Sequence, residues 1–376
     1  MRQLKILSAT LGAALLVAAC GGGDDLASVP FTSMVSFGDS LSDVGSYRVG
    51  AVAALGGGRY TVNPTNPATA TNWTELLAAQ LGQKAPCAAQ TGLTPTVSGP
   101  SNPAVAPVNH PGCLNYAQGG SRVTNPVGPG NSLLGSPSNQ LGQLTVPVVT
   151  QISNHLARSG GSFSGTELVT VMAGANDVFI NLATIAPTIG SLVANGADAA
   201  AATNTASTAA VTAMGTAGAE LAAYIRTQIV AKGANYIAVV NLPDVSKTPF
   251  AYTQDASTQG LINTMVTTFN AQLKSGLAGA AGVVLVDAYT DGRLQAANPA
   301  SYGISNAVGV ACNLASPAPN AFGSSLVCNA SNLNAGDVSR FLFADSVHPT
   351  PYGHYLLSQL VGKNLVVAGW MLPSAL

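Results

Sequence analysis

Met34-Val35-Ser36-Phe37-Gly38-Asp39-Ser40-Leu41-Ser42-Asp43 is a short apolar run that stops at a glycine and passes into polar residues. A run of this length ended by glycine has the pattern of a buried strand followed by a turn. Further Val-, Ile- and Leu-rich runs lie at residues 168–172, 236–240 and 283–286. Spaced so widely, they read as buried parallel strands. Between them residues 73–81, 197–231 and 257–277 carry apolar side chains at helical intervals. The alternation implies an α/β sheet with helices on its faces. The Ala/Thr-rich part from 197 to 217 is too rich in Asn, Asp and Thr for a membrane span and reads as a small-residue helix packed closely on its neighbours.

Ser40 therefore falls at the carboxyl end of the first strand, where open α/β sheets place their ligands. A helix starting just after it would turn unpaired N–H groups toward developing negative charge. Taken alone, Gly38-Asp39-Ser40 is an ordinary strand-to-helix turn. Near the other end, Phe343-Ala344-Asp345-Ser346-Val347-His348-Pro349 sets a carboxylate three residues before a histidine. A serine nucleophile needs a base, and a carboxylate on the second ring nitrogen fixes the base's tautomer. Asn115-Tyr116-Ala117-Gln118-Gly119-Gly120 and Gly174-Ala175-Asn176-Asp177 add a glycine N–H and an Asn amide, donors suited to an oxyanion. Asp39 reads as a turn former, Asp43 as a local hydrogen-bonding residue, and Trp73 and Tyr116 as core.

These blocks, in this order, resemble the GDSL esterases and lipases of the SGNH hydrolase family. The resemblance runs from about Ser33 to the helix after Pro351; the stretches at 82–112 and 312–328 match only in general style. It implies Ser40 as nucleophile, His348 as base and Asp345 as its orienting carboxylate. It also implies an oxyanion hole of the Ser40 N–H, the Gly120 N–H and the Asn176 amide, and a flavodoxin-like three-layer α/β/α sandwich around about five parallel strands. Between Gly119 and Gly120, the second is chosen because it falls at the family's position. The Gly-x-Ser-x-Gly elbow of α/β-hydrolases is absent.

Composition bounds the rest. Of 376 residues only 8% are charged and the net charge is -1, with no basic cluster. That excludes nucleic acid as a partner, since phosphate binding needs several aligned Lys or Arg. The chain opens with Arg2 and Lys5 before an apolar run, residues 6–19, too short to cross a bilayer, which reads as a signal peptide. The run ends in Val17-Ala18-Ala19-Cys20-Gly21, resembling a bacterial lipobox, so Cys20 is the expected lipidated N-terminus and residues 20–30 a membrane tether. An ordinary secretory cleavage with Cys20 a bystander is the alternative. Loss of residues 1–19 removes two basic residues and makes the net charge -3. Gly21-Gly22 lacks the Asp that in some bacteria retains lipoproteins at the inner membrane, which favours the outer one.

The remaining cysteines, Cys87, Cys113, Cys312 and Cys328, are even in number and suit disulfides in an exported protein. Three pairings exist; pairing neighbours staples residues 82–147 and 298–340, the stretches richest in Pro, Asn, Ser and Gly, which read as loop-rich insertions. No Cys-x-x-Cys pair or finger-like His spacing points to a metal. Residues 31–376 read as one domain. The expectation is a cofactor-free serine esterase acting on uncharged acyl, aryl or lipid esters. A carbohydrate acetylesterase or acyltransferase with the same residues is the second reading. A non-catalytic glycan- or protein-binding lipoprotein is the third.

Overall fold

A computed structural model describes residues 29–95, 104–134, 141–315 and 323–376. The expected leader and Cys20 lie outside the described residues. The four apolar runs form strands β1 (Met34–Gly38), β2 (Leu168–Met172), β3 (Tyr236–Val240) and β4 (Val283–Val286). They pair in parallel, in chain order, in one sheet. The expectation of about five strands is thus met by four regular ones.

A fifth extended stretch, residues 114–118, lies along the free edge of β1. Ser36 N–H donates to the Leu114 carbonyl (3.0 Å), Tyr116 N–H to Ser36 (2.8 Å) and Gln118 N–H to Gly38 (3.2 Å). It stays a bridge rather than a ladder because the Asn115 side chain bonds neighbouring backbone, donating to Ser42 (2.9 Å) and accepting from Ala117 (3.2 Å).

Parallel strands need crossover connections, and helices supply them. They are α1 (Trp73–Gln80), α2 (Val148–Arg158), α3 (Ala175–Ala194), α4 (Ala199–Tyr224) and α5 (Ala256–Leu277); α6 (Ala288–Ala297) and α7 (Pro351–Val367) follow the last strand. Successive strand residues face opposite sides. Val35, Phe37, Val169, Val171, Ile237 and Val239 pack with Ile152, Met214, Leu221 and Phe269 from α2, α4 and α5. Met34, Leu168, Met172, Ala238, Val240 and Val286 pack on the other side with Trp73, Leu77, Val361 and Leu365 from α1 and α7. Each fully buried Val, Ile, Leu, Phe or Met side chain among them contributes about 1.5–3 kcal/mol. The result is a three-layer α/β/α sandwich.

The helix ends follow the sequence closely. Asn72 and Glu75 form a capping box on α1, while Asp198 and Asp255 cap α4 and α5. The helical stretch expected to reach residue 231 is regular only to Tyr224; it continues as a π-turn, Ile225–Ile229, and a 3-10 turn, Val230–Lys232. Its small residues do allow close packing: a Cβ on Gly218 would lie 2.4 Å from the Phe269 carbonyl oxygen. Trp73 and Tyr116 are buried, as expected.

The described residues of the two insertions are mostly irregular. The first carries a small strand pair, Gln90–Leu93 with Val105–Asn109, and Asn306–Val310 of the second pairs with Phe341–Phe343 just beyond it. Disulfides join Cys87 to Cys113 and Cys312 to Cys328, the neighbour pairing expected from the sequence.

Candidate active site

The carboxyl ends of the strands converge on Ser40. Gly38 brings the chain out of β1 against the end of β2, so closely that a Cβ there would sit 2.3 Å from the Met172 carbonyl oxygen. The Gln151 side-chain amide of α2 clamps both backbone groups of Gly38, at 2.9 and 2.8 Å. Asp39 closes the turn by accepting the Leu41 N–H (3.0 Å). Behind it the Trp73 indole N–H donates to Ser42 Oγ (3.2 Å). The serine is thereby held on a rigid corner.

Ser40 Oγ lies 2.9 Å from His348 Nε2, although 308 residues separate them. His348 Nδ1 faces Asp345, 2.7 Å from Oδ2 and 2.9 Å from Oδ1. Asp345 also accepts backbone N–H bonds from Ser325 (2.6 Å), Val347 (2.9 Å) and His348 (2.7 Å). Burial alone would raise the Asp345 carboxyl, but His348 and these donors outweigh it and hold the group well below the usual carboxylate range. An ionised carboxylate only accepts, so Nδ1 carries the ring proton and Nε2 is left to accept from the serine hydroxyl.

The expected oxyanion donors lie at the same place. Ser40, Gly120, Asn176 and His348 line one cleft. Gly119 N–H is committed to Asp43 (2.9 Å) and the Gly119 carbonyl to the Tyr47 hydroxyl (2.7 Å). Neither the Ser40 nor the Gly120 N–H has a protein acceptor among the described residues. Gly120 has φ +78°, and a Cβ there would meet the Pro129 carbonyl oxygen at 2.2 Å. Asn176, in the first turn of α3, donates to the Ser121 carbonyl (2.8 Å), and Asp177 beside it holds Arg122 (2.8 Å) and the Val123 N–H (3.0 Å). These contacts tie the 119–123 loop to α3. The Asp43 carboxylate accepts from Gly45 and Ser46, the local role expected of it, and beyond that role it also accepts from Gly119, 76 positions along the chain.

Sequence reasoning missed two contributors. Tyr60 lays its ring against the His348 imidazole, with centroids 4.8 Å apart, and lines the cleft. As one of ten tyrosines in an irregular stretch it carried no signal. The Ser325 amide that braces Asp345 sits in the loop between Cys312 and Cys328, and the nearby Cys328 was the one available pointer. Asp39 holds a surprise of another kind. It is fully buried, one carboxylate oxygen has no partner among the described residues, and burial pushes its carboxyl up to about 7.

Geometrically, a hydroxyl bonded to an imidazole that is itself oriented by a buried carboxylate, beside unpaired backbone donors, suits acyl transfer. The family model described as GDSL-like Lipase/Acylhydrolase matches residues 34–361 of the chain. No curated protein matches it.

Proposed function

The chain belongs to the GDSL-like lipase/acylhydrolase family, whose members hydrolyse esters, and from that premise we propose that it cleaves carboxylic esters through an acyl-enzyme on Ser40. Ser40 Oγ attacks the ester carbonyl carbon while His348 Nε2 takes its proton. The carbonyl oxygen becomes an oxyanion held by the Ser40 and Gly120 N–H groups and the Asn176 amide. Collapse expels the alcohol, which receives the proton from His348. Water then repeats the sequence and releases the acid.

The single observation that carries this reading is the unbroken path from Ser40 Oγ through His348 to Asp345, at 2.9 and 2.7 Å. The sparse charge of the chain favours neutral esters over anionic ones. Purified protein is expected to turn over p-nitrophenyl esters, and Ser40→Ala to lose at least about 10³ of that rate with its thermal unfolding unchanged. A Ser40→Ala variant of full activity would overturn the assignment.

Two disulfides fit an oxidising compartment. Export and lipidation at Cys20 belong to the same proposal and rest on the sequence. Metabolic incorporation of a clickable fatty acid, lost in Cys20→Ser, is the expected result.

A further inference from the structure

Two hollows open from Ser40, Asn176, Phe179 and His348, and they differ in shape and chemistry. One is a narrow slot of about 130 Å³ walled mainly by apolar side chains, among them Met172, Phe179, Val245, Leu342 and Leu357, with Asp244, Lys247 and Asp291 also on its lining. The other, about 480 Å³, carries Tyr60, Gln143 and Ser324 beside its apolar residues. The oxyanion donor Gly120 lines only the wide hollow.

One wall of the slot is α6, which turns Ala288, Gly292 and Ala296 toward it at a spacing of four residues, with Asp291 and Gln295 beside them. That spacing puts them on one helix face. The same helix leaves Leu294 48% exposed, so the large apolar side chain faces away and the small residues face the space. Gly292 is the telling one. Glycine inside a helix is among the least favourable residues for the backbone. At Gly218 and Gly353 an added Cβ would meet carbonyl oxygen at 2.4 and 2.6 Å, which explains those helical glycines by packing. A Cβ on Gly292 would meet nothing within 4 Å, as is also true of the exposed helical glycines Gly190 and Gly260, but of these three Gly292 alone lines the slot. Neither packing nor a left-handed backbone calls for glycine there. What its missing side chain leaves is room in the slot.

Resting on the esterase reading, we propose that the narrow slot receives the acyl chain of the ester, that the alcohol portion faces the wider and more polar hollow, and that Gly292 sets how long a chain is accepted. A linear alkyl chain matches a narrow apolar slot, and an alcohol bearing further hydroxyls matches Gln143, Ser324 and Tyr60. The substrate class is accordingly an ester of a straight-chain fatty acid with a polar alcohol.

Gly292→Leu tests the assignment, because leucine is a strong helix former and its side chain enters open space. The variant is expected to hydrolyse p-nitrophenyl acetate within about twofold of the parent and to lose about tenfold or more in kcat/KM on p-nitrophenyl decanoate, chiefly through KM. Acetates of alcohols from methyl to octyl should be hydrolysed as before. Unchanged decanoate turnover overturns the proposal, and so does a loss that follows alcohol length instead of acyl length. Calorimetric binding of free decanoate is read in parallel and does not depend on turnover. Tight binding to the parent and weakened binding to Gly292→Leu support the slot even if no ester is cleaved, in which case only the esterase reading fails. Equal binding to both proteins overturns the slot.

Discussion

Asp345 receives donors from Ser325, Val347 and His348 and remains ionised in the fold. An amide at this position presents a donor where His348 Nδ1 needs an acceptor. Asp345→Asn is expected to lower kcat about 10³- to 10⁴-fold with little change in KM, measured on a short p-nitrophenyl ester. Asn176→Ala removes one of the proposed oxyanion donors and is expected to cost about 10²–10³ in kcat. Asp39 behaves in the opposite sense to Asp345. Its carboxyl is raised by burial from 3.8 to about 7, so the folded state keeps a proton that the unfolded chain releases. Stability then falls as pH rises through that interval and is level above it. Asp39→Asn abolishes the loss. It is expected to stabilise the protein by on the order of 4 kcal/mol near pH 8 and by little near pH 4, as read by thermal unfolding at both. Ser40, His348 and Asp345 were legible in sequence because each sits in a short motif with a chemical partner elsewhere. Tyr60 and the Ser325 amide were not, since a ring contact and a backbone N–H leave no mark on residue type.

At the scale of elements, β2 and β3 were legible to the residue because both faces of these strands are buried and read as unbroken apolar runs. Residues 114–118 were not read as a strand; Asn115 spends its side chain on the backbone and leaves the stretch without an apolar run. The π-turn at Ile225–Ile229 likewise continues the apolar spacing of α4 and cannot be told from helix by composition. The turn after β1 depends on glycine for close approach. Gly38→Ala would press a methyl into the Met172 carbonyl, and a destabilisation of about 2–3 kcal/mol with loss of esterase activity is expected by urea unfolding and rate measurement. The Cys312–Cys328 disulfide spans 16 residues and encloses Ser325, the brace of Asp345. The paired Cys312→Ser and Cys328→Ser variant is expected to lose about 3 kcal/mol of stability and to lower kcat more than it raises KM. The matching change at Cys87 and Cys113 should disturb the edge segment and leave the Asp345 brace intact.

Across the whole molecule, the proposed nucleophile comes from one end of the chain and its proposed base from the other, and the tertiary fold brings them within hydrogen-bond distance. Fold class could be read from the spacing of apolar runs because an α/β sheet repeats one local rule along its length. The two hollows could not, since each is walled by residues from distant elements whose mutual placement only the tertiary packing defines. The most direct measurement is labelling of the purified protein with a fluorophosphonate, followed by mass spectrometric mapping of the adduct. One adduct, on Ser40, lost in His348→Ala and accompanied by turnover of p-nitrophenyl esters in the parent, is the predicted result. A folded protein that takes no label, or takes it on another serine, would contradict the account.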